Sequence, residues 1–198
     1  MSEPASKNAT YQDLDSLPEN LVGELLAGEL YASPRPAGPH AMAASTLGMG
    51  IGGPFHLGGG GGPGGWWILH EPELHLGGDV LVPDLAGWRR QHMPRIPDGV
   101  AFTVPPDWVC EVLSPTTHLR DRTLKMPIYA REGVGHLWLV DPRARLLDVY
   151  RLHEGRWLLL GSYGGAEEVR AEPFEAVTLS LGKLWGGGDE EPVLSEQA

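Results

Sequence analysis

Cysteine is almost missing from these 198 residues, with Cys110 standing alone. One thiol excludes an internal disulfide and a zinc site built from several thiolates, and it points to a reducing compartment. No apolar run approaches the ~18 residues that a membrane-crossing helix requires. The opening MSEPASKNATYQDLD is polar and has no apolar leader stretch. A soluble, cytoplasmic protein without a membrane partner is therefore expected. Positive charge is scarce as well: 15 Lys and Arg face 26 Asp and Glu, for a net charge of −11. That balance disfavours a general nucleic-acid coat held by bulk charge.

What is present suits one folded domain. Hydrophobic residues make up 41% of the chain, which excludes disorder. The 28 Gly and 18 Pro exclude a helical bundle, and their lack of period excludes collagen. There is no internal repeat. Charge is unevenly spread. Residues 1–87 carry −8, residues 88–131 carry +3 and residues 132–198 carry −6. An anionic partner is expected to meet the basic middle, although random scatter would produce such a split as well.

Residues 1–15 read as a disordered tail, 16–185 as the domain and 186–198 as a flexible acidic tail. Within SLPENLVGELLA, Ser16 and Glu19 fit a capping box and Leu17, Leu21 and Leu25 an apolar stripe. This predicts a helix over 16–27 with Glu24 on its exposed side. Residues 29–32 read as a short strand and 40–47 as a second helix. The 11 glycines between Gly48 and Gly65 predict a mobile loop. Its GxGxxG-like spacings lack GK[ST], so no Walker-type phosphate loop is supported. Short strands follow at 66–70, 73–76, 79–82 and 84–88. WVCEVL over 108–113 reads as a central strand buried on both faces. Residues 119–132 read as a helix that Pro127 kinks or bounds, and 136–141, 145–152 and 156–163 as further strands. The order implies an α/β or α+β domain around one sheet.

Chemistry concentrates between Asp79 and Asp141. Asp84 follows Pro83 at a strand. Glu111 sits inside the apolar WVCEVL, where a carboxylate is costly unless paired or metal-bound. Lys125 lies fourteen residues later on the expected helix. Two carboxylates and a lysine suit a Mg²⁺ site for phosphodiester hydrolysis, because Mg²⁺ prefers hard oxygen ligands. The lysine would orient or help deprotonate the attacking water and offset transition-state charge. The competing reading is a buried Glu–Lys or Glu–Arg pair that only fastens helix to sheet. The remaining histidines show no metal spacing, which excludes a zinc hydrolase. Asp141 is expected to cap the turn at Pro142. Arg120, Arg122 and Arg131 fit either DNA backbone contact or a solvated helix face. The seven tryptophans read as core or subunit-interface residues rather than base-stacking platforms.

PDLAGW followed by WVCEVLSPTTHLRDRTLKMPIYAREGVGHLWLVDP resembles the Uma family of restriction endonucleases, in the PD-(D/E)XK nuclease superfamily. With ENLVGELLAGELYASPRPAGPH upstream, the resemblance covers roughly residues 17–152. It implies a restriction endonuclease-like mixed sheet flanked by helices, and a Mg²⁺-dependent endonuclease, with Mn²⁺ as a substitute, acting on DNA as a homodimer. It also implies that Asp84 and Glu111 bind the metal, that the Val112 carbonyl is a further ligand and that Glu29 is an outer one. Lys125 matches the family's lysine on the helix, whereas the superfamily places it two residues after the acid, here Leu113. His40 matches a family histidine that contacts phosphate or water, with a helix-cap or packing role as the competing reading; Arg120 and Arg122 are substrate candidates. The rival functional class is a non-catalytic scaffold or binding protein retaining the fold. A nuclease for nucleic acid other than duplex DNA is the third.

Overall fold

The computed structural model describes residues 8–35 and 37–186. The expected tails lie outside these residues over 1–7 and 187–198, while Tyr11–Asp15 forms a short helix, α1, behind a capping box from Thr10. Strands β1 (Leu21–Leu26) and β2 (Glu29–Pro34) form a hairpin, and α2 (Gly38–Ile51) follows. Then come β3 (Trp66–His70), β4 (Glu73–Leu76), β5 (Asp79–Leu81), β6 (Leu85–Arg89), β7 (Ala101–Phe102) and β8 (Trp108–Val112). A helical run holds α3 (His118–Arg120), a π-turn over Asp121–Lys125 and α4 (Met126–Arg131). The chain ends with β9 (His136–Asp141), β10 (Leu146–His153), β11 (Arg156–Gly164), β12 (Glu168–Val169) and β13 (Leu179–Ser180), and a 3₁₀ turn over Leu181–Trp185.

Two mixed sheets carry the fold. One is ordered β2-β1-β5-β4-β7, the other β11-β10-β9-β8-β6-β3. In the second, β8 runs antiparallel to β6 and parallel to β9. Pleating divides β8 between two cores. Trp108, Cys110 and Val112 join Leu47 and Ile51 of α2, together with Trp66, Trp138 and Phe174. Val109 and Leu113 join Ile128 and Tyr129 of α4, together with Leu26, Leu74 and Leu81 of the other sheet. Glu111 has the parity of this second face. Trp66, Trp88, Trp108 and Trp138 are all buried, so these strands keep their indoles inside. The Asp141 carboxylate accepts the N–H groups of Arg143 and Ala144, capping the turn as expected.

Three expectations need correction. The helix over 16–27 is instead the β1–β2 hairpin. Ala27 (φ 53°) and Gly28 (φ 84°) make a two-residue turn matched to strand twist, and Leu26 pairs with Glu29. Leu spacing suits a helix, but long-range pairing of Leu25 with Val80 overrides it. The expected loop over 48–65 is helical through its first half: α2 reaches Ile51 and a π-turn covers Gly52–His56. Buried Ile51 and Phe55 hold this glycine-rich stretch in place. Gly48 also has a steric reason, since a Cβ there would collide with the His70 imidazole. Lastly, the single sheet expected is instead two large sheets. The helical run does have its boundary at Pro127, as expected. The π-turn lies just before the proline, where the Met126 N–H bonds to the Asp121 carbonyl, relieving a ring that cannot donate to residue 123.

Trp138 meets Trp108 and Phe174 edge-on and donates to the Glu172 carbonyl at 2.7 Å. Replacing Trp138 with Ala is expected to cost about 3–5 kcal/mol in urea denaturation; a loss below about 1 kcal/mol would contradict this packing.

Candidate active site

The chain changes sheets at Val82–Asp84. It leaves β5 of one sheet and enters β6 of the other. Pro83 supplies no N–H to either ladder, which favours the switch at this point. Leu85 pairs with Cys110, so the same register carried one step further sets Asp84 opposite Glu111. The two carboxylates therefore stand on the same face at the sheet's end. Asp84 Oδ2 accepts the Val112 N–H at 2.7 Å, and Asp84 Oδ1 lies 3.2 Å from His40 Nε2 on the first turn of α2.

Lys125 answers Glu111 from the helical run. Its ammonium donates to Glu111 Oε1 at 2.7 Å and to Glu24 Oε1 at 2.9 Å, with Asp121 Oδ1 at 3.9 Å. The Tyr129 hydroxyl also donates to Glu111 Oε1, at 2.6 Å. Glu24, on β1, additionally accepts the Val82 N–H at 3.0 Å. Its other oxygen lies 3.4 Å from Arg120, whose same nitrogen donates to Ser33 Oγ at 2.7 Å. The His40 Nδ1 and Arg120 Nε atoms are buried and have no hydrogen-bond partner among the described residues. Glu24, His40, Asp84, Glu111, Arg120 and Lys125 share one cavity of about 290 Å³.

Of the residues expected at the site, Asp84, Glu111, Val112, Lys125, His40 and Arg120 come together. Arg122 and Glu29 do not. Arg122 turns outward to Asp148 at 3.4 Å, and exposed Glu29 accepts the Tyr31 hydroxyl. Glu24 takes the place expected of Glu29. It is a buried strand residue, 4% exposed, rather than an exposed helix residue. The alternation Val22, Glu24, Leu26 was the available signal, since it sets Glu24 on the face that carries buried Leu26.

Electrostatics defines what these groups can do. Burial pushes Glu111 well above the usual carboxylate range; Lys125 opposes this, while Asp121, Asp84 and Glu24 reinforce it. Burial likewise raises Asp121 despite Lys125 and the Thr117 hydrogen bond. Burial alone would lower Lys125, but Glu111, Glu24 and Asp121 outweigh it and raise it. The surrounding acids thus hold the amine in its cationic form. For His40, burial lowers the imidazolium, yet the hydrogen bond and charge of Asp84, with Val112 and Asp121, leave it raised.

Among the described residues no three His, Cys, Asp or Glu side chains converge on one metal position. A hydrated Mg²⁺ needs only one or two carboxylates. Asp84 and Glu111, in a cavity with more carboxylate than cation, fit that requirement by donor chemistry.

Lys125→Met removes the charge that restrains Glu111 and Asp121. Their carboxyls then rise further, so the folded chain binds protons more tightly than the unfolded one. Stability should fall as pH climbs above the unfolded carboxyl range near about 4 and return on acidification. At neutral pH the expected cost is about 3–5 kcal/mol, shrinking towards acid in denaturation curves. A loss independent of pH would contradict the assignment.

Comparison with known proteins follows this geometry. No curated protein matches the chain. A solved structure described as a "putative nuclease belonging to DUF820", from Anabaena variabilis, matches with a TM-score of 0.67 and 22% identity, covering 90% of this chain and 98% of that one. This likeness shows a shared α+β fold. The Uma2 family model, described as "Putative restriction endonuclease", matches residues 9–182, and the chain belongs to that family.

Proposed function

We propose that this chain is a Mg²⁺-dependent endonuclease that hydrolyses phosphodiester bonds in DNA. The observation that carries the reading is the convergence of Asp84, Glu111 and Lys125, from two strands and a helix, on one cavity. Asp84 and Glu111 would hold the metal, with the Val112 carbonyl as a further oxygen donor. Bound there, Mg²⁺ supplies Lewis-acid polarisation of the phosphate and acidifies a coordinated water. Lys125 contributes a fixed positive charge where the phosphorane charge builds up. Glu24 also holds that ammonium, so Lys125 keeps a partner when Glu111 turns to another cation. Arg120 has guanidinium N–H groups to spare for a phosphate oxygen. Asp84 raises His40 against the opposing effect of burial, which favours its protonated form in the cavity. Water oxygen forms the new bond to phosphorus in line with the breaking bond to the 3′ oxygen; the proton that the water gives up to solvent balances the one that the leaving 3′ oxygen takes up. Cutting both strands of a duplex is the work of two such sites, supplied by a homodimer; sedimentation showing only a 21.4 kDa species at micromolar concentration would refute that part.

Nicking of supercoiled plasmid with Mg²⁺ or Mn²⁺ tests the reading. Glu111→Gln is expected to lose at least about 100-fold in rate. Glu24→Gln, at the residue that holds Lys125, Arg120 and the Val82 N–H, should lose about 10–100-fold. In calorimetry, Asp84→Asn should lose metal binding. Equal nicking by wild type and Glu111→Gln, or none by either, would remove the catalytic claim and leave a non-catalytic binding protein.

A further inference from the structure

The basic middle of the chain carries seven Lys and Arg, and the fold divides them sharply. Arg120, Lys125, Arg122 and Arg131 are all consumed by internal carboxylates: Glu24, Glu111, Asp148 and Asp79. Arg89, Arg90 and Arg95 form no ion pair among the described residues. All three fall in the end of β6 and the turn after it. The cations of the basic middle that no carboxylate pairs therefore lie together in this turn.

The turn is built to hold its shape. The Arg90 N–H bonds to the Gly65 carbonyl at 2.9 Å and the Met93 N–H to the Arg89 carbonyl at 3.1 Å. The Trp67 indole donates to the Met93 carbonyl at 2.9 Å, and Met93 itself is buried. Asp107 accepts the Arg89 N–H at 2.7 Å and pairs with His92. Arg89 lies 4.5 Å from the Trp66 ring centroid and Arg90 4.0 Å from that of Trp67. Stacking fixes a guanidinium while leaving its in-plane N–H groups available. Arg90 spends two of these on the His56 and Trp66 carbonyls. The Arg89 side chain has no hydrogen-bond acceptor among the described residues.

A second cavity of about 420 Å³ opens beside this turn, lined by Phe55, Gly65, Trp66, Arg89, Arg90 and Glu175 among others. It offers guanidinium donors and, in Glu175, a neighbouring acceptor; Phe55 and Trp66 belong to the core beneath it.

We propose that the Arg89–Arg95 turn and this cavity form an accessory docking surface for the nucleic-acid backbone, remote from the point of cleavage. The inference rests on the nuclease reading for its substrate but not on catalysis. Five residues of β6 separate Asp84 from Arg89, about 17 Å at about 3.3 Å per residue. At about 3.4 Å per nucleotide along one strand of a duplex, this is some five nucleotides from the candidate active site.

The test is fluorescence anisotropy of labelled oligonucleotides with the full chain in EDTA, so that cleavage plays no part. Single-stranded DNA, duplex DNA and RNA of one sequence are the arms, and whichever binds identifies the backbone recognised. Wild type should bind with an affinity that falls linearly on a log–log salt plot. The double variant Arg89→Gln, Arg95→Gln should bind at least about tenfold more weakly, with a slope shallower by about 1.4–1.8. Arg143→Gln, at the β9–β10 turn, should match wild type. Arg90 is left intact because its side chain also fastens the turn, and thermal melting checks that the double variant stays folded. Unchanged affinity and slope in the folded double variant, or no salt-dependent binding by wild type to any arm, would overturn the proposal. Plasmid nicking that persists in either case would leave the nuclease reading standing. Salt-dependent binding without nicking would leave the docking surface standing.

Discussion

One ammonium group holds three parts of this molecule together. Lys125 reaches from the helical run to Glu111 in the centre of the six-stranded sheet and to Glu24 in the five-stranded sheet. It is 2% exposed, and the carboxylates around it are nearly as buried. Desolvating these charges is expensive, and their mutual attraction offsets the cost only in good geometry. The arrangement meets that condition through added hydrogen bonds. Tyr129 serves Glu111, the Val82 N–H serves Glu24, and Thr117 serves Asp121. An apolar residue at 125 would pack more cheaply but would leave these acids facing one another. Such a charged interior is a poor device for stability alone and a good one for chemistry on an anionic ester.

The surrounding architecture follows from where Lys125 must sit. A plain α-helix with Pro127 in its interior would lose a hydrogen bond and clash with residue 123. The π-turn over Asp121–Lys125 absorbs that conflict, and it is at its end that Lys125 turns inward. A second π-turn, over Gly52–His56, contains Pro54 and seats Phe55 against Phe174. The helix continues past Pro127 to Arg131, whereas Pro54 lies in the last turn before the helix ends at His56. On the opposite side, α2 can approach the sheet closely because residue 48 is glycine, and this closeness carries His40 to Asp84.

Much of the candidate site was readable from the chain alone. A carboxylate in the middle of WVCEVL has few explanations, and its position in a strand buried on both faces was correct. The Pro83–Asp84 pair and Lys125 followed by order and resemblance. Glu24 was expected exposed and Glu29 at the site, whereas Glu24 is buried at the cavity and Glu29 exposed, because Leu17, Leu21 and Leu25 satisfy a helical stripe while the chain forms a strand. Pairing of β1 with its hairpin partner β2 and with β5 decides between them, and the Leu25–Val80 pair joins residues more than fifty positions apart. The glycine-rich stretch misled for a related reason. Its low intrinsic order is outweighed by two apolar side chains, Ile51 and Phe55, that find the core.

The sequence by itself determined the longer strands after residue 66, the burial of Glu111 and the family, because these depend on local patterning and a run of specific residues; the two-residue strands β7, β12 and β13 exist only through their partners. Tertiary structure alone decided which cations are spent. In the sequence Arg89, Arg90, Arg95, Arg120, Arg122, Lys125 and Arg131 are equivalent members of one basic segment. In the fold four of them face carboxylates brought from β1, β5, β8 and β10, and three do not. Charge composition is additive along a chain, but ion pairing depends on distance in space, and folding sets that distance.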